Sequence, residues 1–199
     1  MAKLPKVAVC FPSCDVVQAD FALALAGLCT ASHPLELVTI NPKSSIVAVA
    51  RNNGVARAQE LGADVILFLD SDMVFPPNVL LRLMTHRKAI VGAIYTKRLP
   101  PYEILGSTLS RDLNVGEDGL VEMTRMPTGC LLIAMKVFES LKRPYFRFGV
   151  NEETGAILGE DYAFCDDARK AGFHIWADMN LSREIGHIGQ HICRVPGAD

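Results

Sequence analysis

Two carboxylates, Asp70 and Asp72, close the apolar run Val65-Ile66-Leu67-Phe68-Leu69 with only Ser71 between them. Acids converging at the end of a buried segment suit a divalent cation, because a hard dication takes anionic oxygen ligands. A second acidic pair, Glu160-Asp161, begins a helical stretch after Gly159. Asp161 shares a face with Cys165 and Ala168, so its carboxylate turns toward the core side of that helix. Capping and the helix dipole explain acids at helix starts without chemistry, and that reading fits Glu160 better than Asp161. The helix N-terminus is expected to lower the pKa of Asp161, so a base here depends on orientation and a dry site. His187 lies between Gly186 and Gly189, and imidazole suits manganese or a similar metal; His191 offers a second imidazole. In Arg51-Asn52-Asn53 the guanidinium can pair with a diphosphate or a neighbouring acid, and Asn53 can hydrogen-bond a nucleotide. For Arg51 a structural ion pair and a ligand contact both stay open.

Such residues act only if the backbone gathers them. The five apolar residues before Asp70 are bounded by Gly62 and Pro76-Pro77, too short a run for a helix and suited to a strand buried on both faces. If the chain stays extended, Asp70 and Asp72 face one crevice while Ser71 faces away. Upstream, residues 7–11 and 35–40 read as strands and residues 16–31 and 47–61 as helices. That βαβαβ order implies a parallel sheet with right-handed crossovers. Ligands of such sheets bind beyond the carboxyl ends of the strands, so Pro12, Ser13 and Asp15 should join Arg51 and the two acids. The turn from Phe11 to Asp15 has no glycine and no Gly-x-x-x-x-Gly-Lys occurs, which opposes NAD, FAD and P-loop nucleotide sites.

Downstream, a helix is expected from Pro76 to about Arg87 and buried strands over 89–95 and 131–135, with irregular strands between them. Gly129 precedes the second of these strands and permits a close backbone approach to a ligand. Residues 136–141 suit a short helix, residues 143–148 a half-buried strand, and residues 173–178 a last strand. Lys97 and Arg98, at a strand end, suit phosphate contact or plain solvation.

With 199 residues and 50% hydrophobic content the chain can bury one ordinary core. A net charge of -2 and a pI near 6.2 provide no global attraction to polyanions, so nucleic acid would need a local basic patch. No apolar run is long enough for a signal peptide or a membrane span, and the chain reads as intracellular and cytoplasmic. Its six cysteines form no Cys-x-x-Cys and suit buried reduced thiols.

Taken in order, Arg51-Asn52-Asn53, Asp70-Ser71-Asp72, Pro127-Thr128-Gly129-Cys130, Gly159-Glu160-Asp161 and the late His187 resemble a GT-A fold glycosyltransferase of the family-2-like group. The resemblance runs from Lys6 to about His191. It implies an α/β fold, one GT-A (Rossmann-like) domain over 1–199 with a mixed, mostly parallel central sheet and helices on both faces. Residues 1–95 would bind the nucleotide sugar and 96–199 would form the acceptor side. By the resemblance, Asp70 holds the ribose or the metal, Asp72 and His187 ligate manganese (Mn2+) or magnesium (Mg2+), and Asp161 is the base of an inverting transfer supported by Glu160. Pro12, Ser13, Asp15, Arg51, Asn53, Asp70, Ser71 and Gly129 would line the donor site, with a UDP-sugar favoured. The Gln-x-x-Arg-Trp motif of processive synthases is missing, which suggests one sugar added at a time. Compact relatives resemble some bacteriophage enzymes, for which the host cytoplasm would be the setting. The acceptor would then be a saccharide or a hydroxymethylated base in DNA, the latter on a basic rim of Lys97, Arg98, Lys142, Arg143 and Arg147.

Two rivals share parts of this pattern. A haloacid-dehalogenase-type phosphatase also ends an apolar strand in Asp-x-Asp, but on its first strand, whereas here the motif follows the third. A sugar-binding module that has lost catalysis would bind ligand without turnover, and the intact set Asp70, Asp72, Asp161 and His187 opposes it.

Overall fold

The computed structural model describes residues 4–108, 115–151, 154–189 and 192–193. The elements run β1 (Lys6–Cys10), α1 (Ala19–Ala31), β2 (Glu36–Ile40), α2 (Val47–Glu60), β3 (Val65–Leu69), β4 (Met73–Val74), α3 (Val79–Thr85) and β5 (Ile90–Gly92). They continue with β6 (Ser107–Thr108), β7 (Leu120–Arg125), β8 (Cys130–Ala134), α4 (Met135–Glu139), β9 (Gly149–Val150), β10 (Ile157–Leu158) and α5 (Glu160–Lys170). The last are β11 (Ile175–Asp178), α6 (Met179–Ser182), β12 (Gly186–Ile188) and β13 (Ile192–Cys193).

Eight strands form one sheet in the order β2-β1-β3-β8-β5-β11-β7-β6. β2, β1, β3, β5, β11 and β6 run one way, and β8 and β7 run against them, so the sheet is mixed and mostly parallel. Its core strand is β3, whose Ile66, Leu67, Phe68 and Leu69 are wholly buried. Side chains alternate across a strand. Ile66 and Phe68 therefore pack with Val55 of α2, Phe138 of α4 and Phe164 of α5. Leu67 and Leu69 pack on the other face with Phe21 of α1, Leu80 of α3 and Leu181 of α6. Burying each such side chain contributes about 1.5–3 kcal/mol, and a one-residue slip would reverse all four, so the register that ends at Asp70 is firmly set.

Two expectations change. Residues 143–148 form no strand: Asn52 on α2 holds that loop by accepting from the Tyr145 and Phe146 amides at 2.8 and 3.3 Å and donating to the Phe146 carbonyl at 2.7 Å. Tyr145 and Phe146 are buried against Phe138, and Phe146 also stacks on Phe164, so the aromatic spacing reflects core packing without a sheet partner. The chain also does not stay extended after β3. The Met73 amide donates to the Asp70 carbonyl at 3.1 Å, closing a turn across Asp70-Ser71-Asp72. The thiols of Cys10, Cys130 and Cys165 are free and buried, and burial pushes each up to about 12. Among the described residues, no helix is long and apolar enough to cross a membrane.

Candidate active site

The carboxyl ends of β1 and β3, the start of α2, the turn after β3 and the start of α5 enclose an open cleft of about 370 Å³. Its polar lining consists of Arg51, Asp70, Asp72, Tyr95, Arg98, Glu160, Asp161 and His187. Pro12, Val47, Leu105 and Pro127 supply the apolar walls.

Arg51 is the hub. Its side chain is 4% exposed, and Nη2 donates to Asp70 Oδ1 and Oδ2 at 2.9 and 3.2 Å while Nη1 donates to Glu160 Oε1. Burial alone would lower the guanidinium pKa, but Asp70 and Glu160 hold it above its ordinary value. Arg51 thus ties the end of β3 to the first turn of α5. Glu160, which the sequence suggested as a capping residue, is instead buried in this ion pair, and α5 has no side-chain cap.

Asp161 follows Glu160 and turns into the cleft, its Oδ1 accepting from the Tyr162 amide at 2.8 Å. The expectation of a lowered pKa does not hold. Burial, then the Glu160 carboxylate, push it up to about 6, outweighing Arg51 and the single amide bond. A carboxyl with a pKa near 6 is a competent base at neutral pH, because it is ionised and still basic enough to accept a proton.

His187 reaches the acids through the small sheet β13-β12-β4, in which His187 pairs with Met73 and the Ile188 amide donates to the Asp72 carbonyl at 2.7 Å. Nδ1 lies 2.9 Å from the Thr96 carbonyl, which fixes the proton there and leaves Nε2 aimed at Asp72 Oδ2, 3.6 Å away. That gap is too long for a direct hydrogen bond. Burial would lower the imidazole pKa, but Asp72 and the Thr96 carbonyl raise it. Burial would likewise raise Asp72, yet His187 and Arg98 hold it below the usual carboxylate range.

A carboxylate and an oriented imidazole nitrogen are donors that manganese would take, while magnesium would rest on the carboxylate and on water. Their separation approaches the ~3.0–3.5 Å expected of two adjacent ligands on one ion. Among the described residues, however, no three His, Cys, Asp or Glu side chains converge to hold a metal by themselves. The pair fits an ion completed by water and phosphate oxygens, the usual way magnesium is held.

The remaining candidates divide. Pro12 lines the cleft. Ser13 is used locally, donating to Asn41 Oδ1 at 2.9 Å, and Asp15 forms an exposed ion pair with Lys43. Asn53 faces a different groove with Val49, Ala56 and Tyr145, because α2 turns it away from Arg51. The Ser71 carbonyl accepts from the Gln18 amide at 3.3 Å, and its side chain is not among the cleft residues. Gly129 supports the site from behind. Its carbonyl accepts from the Asp70 amide at 3.1 Å and its amide donates to the Tyr95 hydroxyl at 2.9 Å. A Cβ there would overlap that hydroxyl and lie 3.0 Å from Asp70 Oδ2. The basic rim also splits, since Lys142, Arg143 and Arg147 border a separate groove with Asp167 and Lys170, and only Arg98 reaches the cleft. His191 lies outside the described residues. Tyr95 escaped the sequence reading because, at the end of an apolar run, it was indistinguishable from core.

No family model and no curated protein matches the sequence. The fold is similar to that of A197 from STIV, with a TM-score of 0.62 and 18% identity, over 92% of this chain and 86% of that one. A 4-diphosphocytidyl-2C-methyl-D-erythritol synthase aligns at TM-score 0.46 and 15% identity, over 98% and 95% of the two chains. A glycosyltransferase involved in the glycosylation of the major capsid of PBCV-1 aligns at TM-score 0.39 and 11% identity, over 71% and 69%. The likeness is one of fold, and A197 carries it.

Proposed function

We propose that this protein is a metal-dependent glycosyltransferase that moves one sugar from a nucleoside-diphosphate sugar to an acceptor hydroxyl with inversion. One observation carries the reading: Asp161, with a pKa near 6, faces the same cleft as Asp72 and His187. A base and a metal site on one cleft suit direct displacement at an anomeric carbon, one activating the nucleophile and the other the leaving group.

Asp72 Oδ2 and His187 Nε2 would hold manganese or magnesium, which supplies charge neutralisation to the leaving diphosphate. Asp161 orients the acceptor hydroxyl and takes its proton as the oxygen bonds to the anomeric carbon. The bond from that carbon to the diphosphate oxygen breaks, and its electron pair leaves with the nucleotide. Arg51 fixes Asp70 and Glu160, so the donor side and the base keep their spacing. Glu160 raises the basicity of Asp161 and stays out of the transfer.

The phosphatase alternative makes Asp70 a nucleophile. Both of its oxygens accept from Arg51, which lowers their nucleophilicity and disfavours that role. Calorimetry with UDP and manganese tests donor binding. The expected result is binding that requires the metal and is lost in Asp72→Ala; equal binding without metal would remove the metal from the function. Asp161→Asn should retain UDP affinity.

A further inference from the structure

Arg98 lines the cleft but has no part in the transfer chemistry derived above. It lies between β5 and β6, half exposed, with Nη1 2.8 Å from Asp72 Oδ2. Asp72 Oδ2 is the same oxygen that faces His187 Nε2 at 3.6 Å. A guanidinium therefore stands on the carboxylate suited to a divalent cation, and like charges cannot share one oxygen closely. The loop that carries Arg98 is pinned at its base. The Lys97 amide donates to the Glu103 carbonyl at 2.9 Å and the Leu105 amide to the Tyr95 carbonyl at 2.8 Å, and Thr96 bridges Ile104. Arg98 displaced from Asp72 would thus remain over the cleft. The other cleft carboxylates do not receive it readily, because Asp70 and Glu160 are already held by Arg51.

Resting on the proposed glycosyl transfer, we propose that Arg98 competes with the divalent cation for Asp72 and, once displaced, binds the diphosphate of the nucleotide sugar. A guanidinium matches phosphate oxygens with two parallel donors, whereas it meets Asp72 through Nη1. The Arg98–Asp72 pair itself is weak, because it is partly exposed. Arg98 would then be a donor-binding residue with opposite effects on its two ligands.

Two titrations of the full chain test this. Manganese alone is titrated into wild type, Arg98→Ala and Lys97→Ala, following the free-ion signal by electron paramagnetic resonance. UDP is then titrated by calorimetry at saturating manganese, with UMP as comparison. Arg98→Ala should bind manganese about two- to fivefold more tightly, the worth of the lost competing pair. The same variant should bind UDP about ten- to a hundredfold more weakly, the contribution of a charge-assisted hydrogen bond, with a smaller loss for UMP. Lys97→Ala, which removes a neighbouring charge paired with Glu103, should shift neither by more than about twofold. Shifts of both affinities in one direction, or no shift in either, would overturn the assignment. Failure of wild type to bind UDP at all would instead overturn the glycosyl-transfer reading, and the diphosphate role with it, while the manganese titration still reports the competition.

Discussion

Replacing Asp161 with Asn should remove most of the transfer and at the same time stabilise the protein at neutral pH. Asp161 is raised from 3.8 to about 6 in the fold, first by burial and then by Glu160. A carboxyl whose folded pKa exceeds its unfolded value binds more protons in the native state between the two values. Stability therefore falls as pH rises from about 4 to about 6, and the full penalty persists above that. A shift of roughly two units corresponds to at most about 3 kcal/mol, with about half remaining at pH 5. Asn is isosteric and keeps an oxygen for the Tyr162 amide, so little else changes. For a chain of this size the melting temperature should rise by about 5–10 °C at pH 7.5, and the gap should close toward pH 4. Thermal unfolding of both proteins across pH 4 to 7.5 measures it. A variant no more stable than wild type at pH 7.5, or a gap that does not change with pH, would show that Asp161 is not held with a raised pKa.

Three further substitutions probe its surroundings. Glu160→Gln removes the second cause of the raised pKa and leaves Arg51 less neutralised. Both effects lower Asp161, so the acid limb of kcat/KM against pH should move down by about half to one unit. Arg51→Met leaves Glu160 buried without its cation and should cost about 3–5 kcal/mol in chemical denaturation, with the same pair removed together in Arg51→Met/Glu160→Gln costing less than the sum. Gly129→Ala drives a methyl group into the Tyr95 hydroxyl and should cost about 1–3 kcal/mol, partly recovered when combined with Tyr95→Phe; strict additivity in denaturant melts would refute the contact.

The parts of this molecule legible in the sequence are those governed by local pattern. The buried run before Asp70 and the alternation over 7–69 fix the first three strands and two helices, because apolar spacing and chain breakers decide them. Residues 143–148 show where pattern fails: the same alternation of aromatics arises when a loop is pinned by a distant amide, Asn52, and only the tertiary contact distinguishes the cases. The direction of the Asp161 shift is illegible in the sequence for a similar reason. A helix N-terminus is visible in sequence, whereas burial and the Glu160 side chain's fixed place beside Arg51 are not. Approach of His187 to Asp72 was suggested by its flanking glycines, but β4, the two-residue strand that seats it, carries no signal of its own. Asn53 lines another groove because a helix sends adjacent residues to different faces, and the pattern does not say which face meets the cleft.

The most direct measurement is release of nucleoside diphosphate from a panel of nucleotide sugars with manganese, comparing wild type with Asp161→Asn. Glycosyl transfer predicts that wild type turns over at least one donor and that Asp161→Asn binds that donor normally while losing most of the release. Undiminished release by Asp161→Asn would contradict it, as would phosphate release from simple phosphoesters that disappears in Asp70→Asn.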